Sequence, residues 1–317
     1  MKFKKIMASA MALVVAGAVT ACSKPVEKTE GQAEETVLRV GVMGSIDAIP
    51  LVIAEENGYF KEEGIDVDLQ IFKAAKDRDA ALQAGELDGV LADEVAISIY
   101  QNSGIDMQIT GTTNGSWTLV AGKDSGINSL EDLKGKKMGI SERTMIDYLA
   151  DYIATSNGVD TSDVEKVAIP AMPARLEALR NNQIDAAILP APFNDTAVAD
   201  GGKEITKIYN EDIMISTTAF LQDVINDKPE AVKGFYNAYN KAIEYINTTD
   251  ISEYEDVVIS TVGYSEDMRG NISLPEFKTN YLPSEERVQA VLDWSKDNGI
   301  IESEIKAKDI INDIGIK

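Results

Sequence analysis

The chain has 317 residues, with 30 basic against 53 acidic side chains, one cysteine and no histidine. So acidic a balance argues against nucleic acid as a partner. The missing histidine removes the commonest catalytic base and metal ligand, and a single cysteine cannot build a disulfide framework.

In chain order, Lys2, Lys4 and Lys5 precede an apolar, small-residue run over 6–19, closed by Val19-Thr20-Ala21-Cys22. This predicts a signal peptide over 1–21. Its last residues also match the lipobox of bacterial lipoproteins, in which cleavage before the cysteine frees it for lipid. Cys22 is therefore the expected lipidation residue, and the mature chain is expected to be membrane-anchored without spanning the membrane. Residues 22–36 are polar and read as a lipidated flexible tether. Removing the three signal lysines leaves 27 basic against 53 acidic residues, a net of −26. About 280 residues remain from Val37 onward, enough for two lobes.

The segment 37–43 is a β-branched, apolar run and predicts a buried strand. A loop over 44–50 leads to a helix over 51–57, stopped by Gly58. Over 65–72, Ile65, Val67, Leu69 and Ile71 alternate with Asp66, Asp68 and Gln70, a strand with one wet side. A helix over 78–84 and a strand over 87–92 follow. Asp93 caps a helix to about Asn102, and 107–113 is another strand. Past Trp117 come a short helix over 129–134, a strand over 137–140 and, behind Ser141, a long helix ending at Asn157-Gly158. Strands are expected over 164–169, 184–189 and 204–209, with a helix over 174–181. The segment 229–248 places Tyr236, Tyr239, Ile243 and Ile246 on one helical face. Further helices fit 252–261 and 284–298. Strands alternating with helices predict an α/β fold with parallel sheets covered on both faces. The C-terminal helices, lacking a sheet of their own, are expected to pack on the first lobe.

One stretch is written twice. Ala81-Leu82, a polar turn, Asp88 and an apolar strand ending at Asp93 reappear 97 positions on, as Ala178-Leu179, a polar turn, Asp185 and a strand ending at Pro190. Met138-Gly139-Ile140 likewise lies 98 positions after Val40-Gly41-Val42. A copied helix–turn–strand unit suggests two similar lobes facing across a cleft.

Gly58-Tyr59-Phe60, Glu63-Gly64-Ile65 and Val67 make one recognisable segment, and Ala81-Leu82, Gly85 and Asp88 another. With 129–137 and 184–192, this text resembles the nitrate, taurine, sulfonate and thiamine-precursor family of substrate-binding proteins of ABC importers, over about residues 37–220. The resemblance implies a two-lobed periplasmic-binding-protein-like fold of type II. Two segments then cross between the lobes, near 113–117 and 215–218. The first lobe comprises 37–114 plus 217–317 with the extra C-terminal helices, and the second 115–216. It further implies a small-molecule ligand, hinge closure, permease and ATPase partners, no cofactor and a monomer.

Ligands in open α/β sheets sit beyond the carboxyl ends of strands. That rule selects Ser45 and Asp47, Asp93, then Thr113, Asn114 and Trp117, then Ser141, Arg143 and Thr144, and finally Pro192 and Thr217. Several have plainer readings. Asp93 and Ser141 can simply cap helices, Arg143 can be a solvated first-turn residue, Asp47 can stabilise a turn, and Trp117 can be core. Asp47, Asp93 and Glu94 face Arg143 alone, which favours a ligand with ring or amine donors, such as a heterocyclic vitamin precursor, over nitrate or a sulfonate. The competing reading is an enzyme on the same fold, of the thiamine-pyrimidine or menaquinone-biosynthetic kind. The absence of histidine, and a cysteine committed to lipid, disfavour it; no catalytic or metal residue is assigned.

Overall fold

A computed structural model describes residues 37–115, 117–208 and 216–317. The expected signal peptide, Cys22 and the tether lie outside these residues, as do Ser116 and Ile215 of the two crossings. The elements are β1 (Val37–Met43), α1 (Ile49–Glu56), α2 (Tyr59–Glu62), β2 (Asp66–Phe72), α3 (Ala75–Gln83), β3 (Gly89–Asp93), α4 (Glu94–Asn102), β4 (Met107–Thr112) and β5 (Trp117–Ala121). Next come β6 (Lys137–Ile140), α5 (Met145–Ser156), β7 (Glu165–Ala168), α6 (Met172–Arg180), β8 (Ala186–Pro190), α7 (Phe193–Ala199), β9 (Lys203–Ile208) and β10 (Ser216–Leu221). The chain closes with α8 (Gln222–Asp227), α9 (Pro229–Thr248), α10 (Glu255–Val262) and α11 (Glu285–Asp297).

The strands form two five-stranded sheets, ordered β2-β1-β3-β10-β4 and β7-β6-β8-β5-β9. Both are mixed, which corrects the expectation of parallel sheets. β1 runs parallel to β2 and β3, and β6 parallel to β7 and β8. β10 is antiparallel to β3 and β4, and β5 antiparallel to β8 and β9. A helical crossover returns the chain in the same direction. β5 and β10 instead arrive from the other sheet, with no such crossover, and enter reversed.

The duplication seen in the sequence is repeated contact by contact. In the first lobe the Arg39 amide donates to Asp88 Oδ2 at 2.9 Å; in the second the Lys137 amide donates to Asp185 Oδ2 at 2.8 Å. Arg78 Nη1 donates to the Leu91 carbonyl at 2.8 Å, and Arg175 Nη1 to the Ile188 carbonyl at 3.1 Å. The aliphatic stem of each arginine passes a strand glycine. A Cβ on Gly41 would lie 2.6 Å from Leu87 and 3.1 Å from Arg78; on Gly139 it would lie 2.5 Å from Ile184 Cδ1 and 3.0 Å from Arg175 Cγ. The turn between helix and strand is left-handed in both copies, at Gly85 (φ 74°) and Asn182 (φ 54°). Asn tolerates that conformation better than most side chains, so the change of residue keeps the turn.

Two local expectations shift. The helix expected over 129–134 is only a 3₁₀ turn, Glu131–Leu133. The helix behind Ser141 begins at Met145, because Arg143 is left-handed (φ 59°) and cannot continue a helix from 141. α9 and α10 pack on the first sheet's core through Phe235, Tyr239, Ile243, Val258 and Ile259, as expected. α11 does not stay with that lobe. Val288 and Leu292 join a first-lobe cluster, whereas Val291, with Ile300 and Ile301 beyond the helix, packs among Leu149 and Ile153 of α5. Positions 288, 291 and 292 form one apolar stripe, three and four residues apart, and that stripe is shared between the clusters of the two lobes.

Gly139→Ala is expected to destabilise the chain by about 1–3 kcal/mol through overpacking. Ile184→Val removes the atom the new methyl would strike, so the double variant should recover most of that loss. Urea unfolding of the singles and the double reads the coupling; strictly additive losses would contradict the contact.

Candidate functional site

The two copies of the repeat end at one junction. Val95, two residues past Asp93, is buried in the second lobe's core cluster; Ala191, one past Pro190, is buried in the first lobe's. Each strand end thus delivers its loop into the opposite lobe, and the polar residues beside it are carried to the interlobe surface.

Asp47 lies at the centre. Its 3₁₀ turn, Ile46–Ala48, follows β1, and the side chain is 7% exposed. The Ser45 hydroxyl donates to its Oδ1, and the Ser216 hydroxyl also reaches it. Burial pushes its pKa up, against the lowering effect of the Ser45 bond. A Cβ on Gly115 would lie 3.4 Å from the Trp117 indole Nε1 and 3.8 Å from Asp47 Oδ2. An indole donor of the first crossing and the buried Asp47 carboxyl therefore both approach the point that a side chain on Gly115 would fill. From the second lobe, Met145 Sδ comes within 3.8 Å of Ser216 Oγ. Around this point the buried hydroxyl oxygens of Thr112, Thr113 and Tyr239 have no hydrogen-bond partner among the described residues.

A second buried acid opens α4. Glu94, the first residue of α4, is 1% exposed and accepts a bond from Arg287 Nη2 of α11. Burial raises its carboxyl to about 7 in spite of that arginine. Tyr148 of α5 and Tyr281 both sense the charges of this pair. Tyr148 also meets the Trp294 ring edge-on, with centroids 5.4 Å apart, and the Trp294 indole donates to Asp151 Oδ2 at 3.0 Å.

The strand-end residues divide in two. Ser45, Asp47, Thr113, Asn114 and Trp117 come together at the junction. Asn114 is already engaged, its Oδ1 accepting from the Lys278 amide at 3.1 Å. Asp93 acts as a cap, its Oδ1 accepting from the Ala96 amide at 3.0 Å. Thr144, not Ser141, caps α5: its Oγ1 accepts from the Ile146 amide at 3.2 Å, and its hydroxyl donates to the Ser141 carbonyl at 2.7 Å. Arg143 turns its guanidinium to the Ile300 carbonyl at 3.0 Å. Pro192 is the N-cap residue of α7, and the Thr217 hydroxyl donates to the Gly111 carbonyl. The strand-end rule missed Gly115, Tyr239 and Arg287. Tyr239 stood in the apolar stripe of α9 and read as core. Arg287 lies 193 positions from Glu94, with no local signal to connect them. No group of histidine, cysteine and carboxylate side chains suited to a metal ion occurs among the described residues.

Comparison with known proteins agrees with this architecture. A family model described as NMT1/THI5 like matches residues 45–249. A Brucella abortus protein provisionally named a binding protein is 25% identical over 269 residues, which is 83% of this chain and 82% of that one. A Brachyspira hyodysenteriae protein provisionally named an ABC transporter periplasmic binding protein is 23% identical over 267 residues, 77% of this chain and 74% of that one. The crystal structure of the periplasmic aliphatic sulphonate binding protein SsuA from Escherichia coli superposes with a TM-score of 0.75 at 15% identity, covering 87% of this chain and 97% of that one.

Because the Asp47 carboxyl has a higher pKa folded than unfolded, the folded chain keeps its proton longer. Stability should therefore fall as pH climbs from about 4 through the raised value. Asp47→Asn, which still accepts the Ser45 bond, is expected to melt above the native chain at pH 7.5 and to lose less stability between pH 4 and 8. Melting curves that track the native ones across that range would count against a desolvated Asp47.

Proposed function

The chain belongs to the NMT1/THI5-like family, and we propose that it is an extracytoplasmic solute-binding protein which captures a small organic molecule between its lobes and delivers it to the permease and ATPase subunits of an ABC importer. The observation that carries this reading is the collection of buried oxygens at the interlobe strand ends. Asp47, Thr112, Thr113 and Tyr239 are desolvated there, and the three hydroxyls lack partners among the described residues. An unpaired buried polar group costs roughly 1–3 kcal/mol, and a ligand supplying N–H and O–H groups would remove that cost in each case. Each hydroxyl can donate or accept, and the Asp47 carboxylate adds acceptors, so a ligand bearing N–H or O–H groups finds partners here. A heterocyclic vitamin precursor fits this chemistry better than nitrate or a sulfonate, and the Trp117 indole offers a flat face beside Asp47 for its ring.

Ser45, Asp47, Thr113 and Trp117 are the binding residues, with Asn114 supporting the first crossing. The lobes comprise 37–114 plus 217–317 and 115–216, and closure is a hinge motion about the two crossings. The described residues include no helix long and apolar enough to cross a membrane. Attachment is instead through lipid on Cys22, leaving a monomer tethered on the outer face. An enzymatic reading has less support, because the junction carries no histidine or thiol and its carboxyls serve as acceptors.

A thermal screen of the 37–317 segment against thiamine precursors, riboflavin, aromatic acids, sulfonates and amino acids tests the reading. A true ligand at a hundredfold excess over its Kd should add about 2.7 kcal/mol. Trp117→Ala should weaken it about tenfold or more in the chain that still folds, with some loss of unliganded melting temperature from its packing on the second lobe's core; unchanged affinity would remove Trp117 from the site. Cys22→Ser in the full chain should move the protein from the membrane fraction to the soluble fraction, and an unaltered distribution would exclude the lipid anchor.

A further inference from the structure

Three helices turn their first residues toward one buried point. Glu94 opens α4, Tyr148 lies in the first turn of α5, and Arg287 is the third residue of α11. Helix N-termini carry partial positive charge, although Asp93, Thr144 and Ser284 each cap one amide of these three, and an arginine fork beside them matches a planar or tetrahedral anion. The point is desolvated, with Glu94 1% and Arg287 9% exposed. Such an arrangement would hold a free carboxylate, sulfonate or nitrate, yet the chain's own carboxylate is there. One oxygen of Glu94 takes the Arg287 Nη2 bond; the other, Oε2, is buried and has no partner among the described residues.

We propose that Glu94 is a built-in anion: it occupies, from within the chain, the position in which a ligand's acidic group would bind Arg287, and so closes the cleft to free anions. The proposal rests on the interlobe junction being the ligand site. It makes Glu94 a specificity residue, and it accounts for why a site with a buried guanidinium would favour donor-bearing ligands. Asp93, next in the chain, reinforces the exclusion by raising the cost of a second negative charge.

The test uses the full chain with methanesulfonate, nitrate and acetate, against chloride at equal ionic strength. Glu94→Ala and Glu94→Gln should each bind methanesulfonate at least about tenfold more tightly than the native chain. The double variant Glu94→Ala/Arg287→Met should lose that gain. Folded single variants with no gain, or a double variant that binds as well as the singles, would overturn the proposal. Should both single variants fail to fold, the native chain still decides the matter. Glu94 faces Arg287 from α11, Tyr148 from α5, Tyr281 and its neighbour Asp93, and its own carboxyl, raised to about 7, takes up a proton as pH falls from 8 to 5.5. Methanesulfonate affinity should rise as pH falls over that span; a flat profile overturns the proposal. The ligand screen keeps the two ideas apart. A donor-bearing ligand together with anion-blind variants defeats only the role of Glu94, whereas no ligand of any kind together with anion-binding variants defeats only the donor-ligand reading.

Discussion

A buried arginine whose stem passes a strand glycine and whose guanidinium bonds a carbonyl of the neighbouring strand is the contact on which both lobes depend. Arg78 ties α3 to the end of β3, and Arg175 ties α6 to the end of β8. Each works only because Gly41 or Gly139 leaves room for the side chain. The two strand ends so fixed are the ones from which the loops enter the opposite lobe. The arginines are not equivalent, however. Arg78 also bonds Asp79 and Tyr100, while the bonds of Arg175 go to backbone carbonyls, and burial lowers its pKa to about 10. The second lobe holds its charge by carbonyl dipoles, a weaker arrangement than a counter-ion.

The junction between the lobes is built by exchange. β5 and β10 each enter the sheet of the other half of the chain, Val95 and Ala191 each enter the other lobe's core, and α11 contacts both lobes. Trp294 and the Arg143–Ile300 bond add links beyond the two covalent crossings. A cleft assembled in this way exists only when the lobes are together, which suits a protein whose ligand is enclosed rather than laid on a surface.

Burial of acids at this junction has a cost. Asp47 and Glu94 are both desolvated enough for their carboxyls to resist ionisation, and only Glu94 has a bonded arginine. Such strain is commonly retained where a ligand or a switch makes use of it. The arrangement also separates two roles for acids in a strongly acidic chain. Most are solvated and keep the surface soluble, while these two are buried.

The sequence by itself determined a good deal. The 97-residue repeat, the cap at Asp93, the apolar face of 229–248, the α/β alternation and the family text were all legible, because each rests on local spacing. Asp47 and Trp117 were reached by a topological rule that needs only strand ends. What remained hidden were pairings across the chain: Glu94 with Arg287, Tyr148 with Trp294, and Asp47 with Gly115 and Trp117. The direction of β5 and β10 was equally hidden, since a strand's periodicity is the same whichever way it runs. Local spacing reports which face of an element is apolar. Only the packed tertiary structure decides which buried charges meet, because desolvation and pairing are properties of neighbours that the chain order does not record.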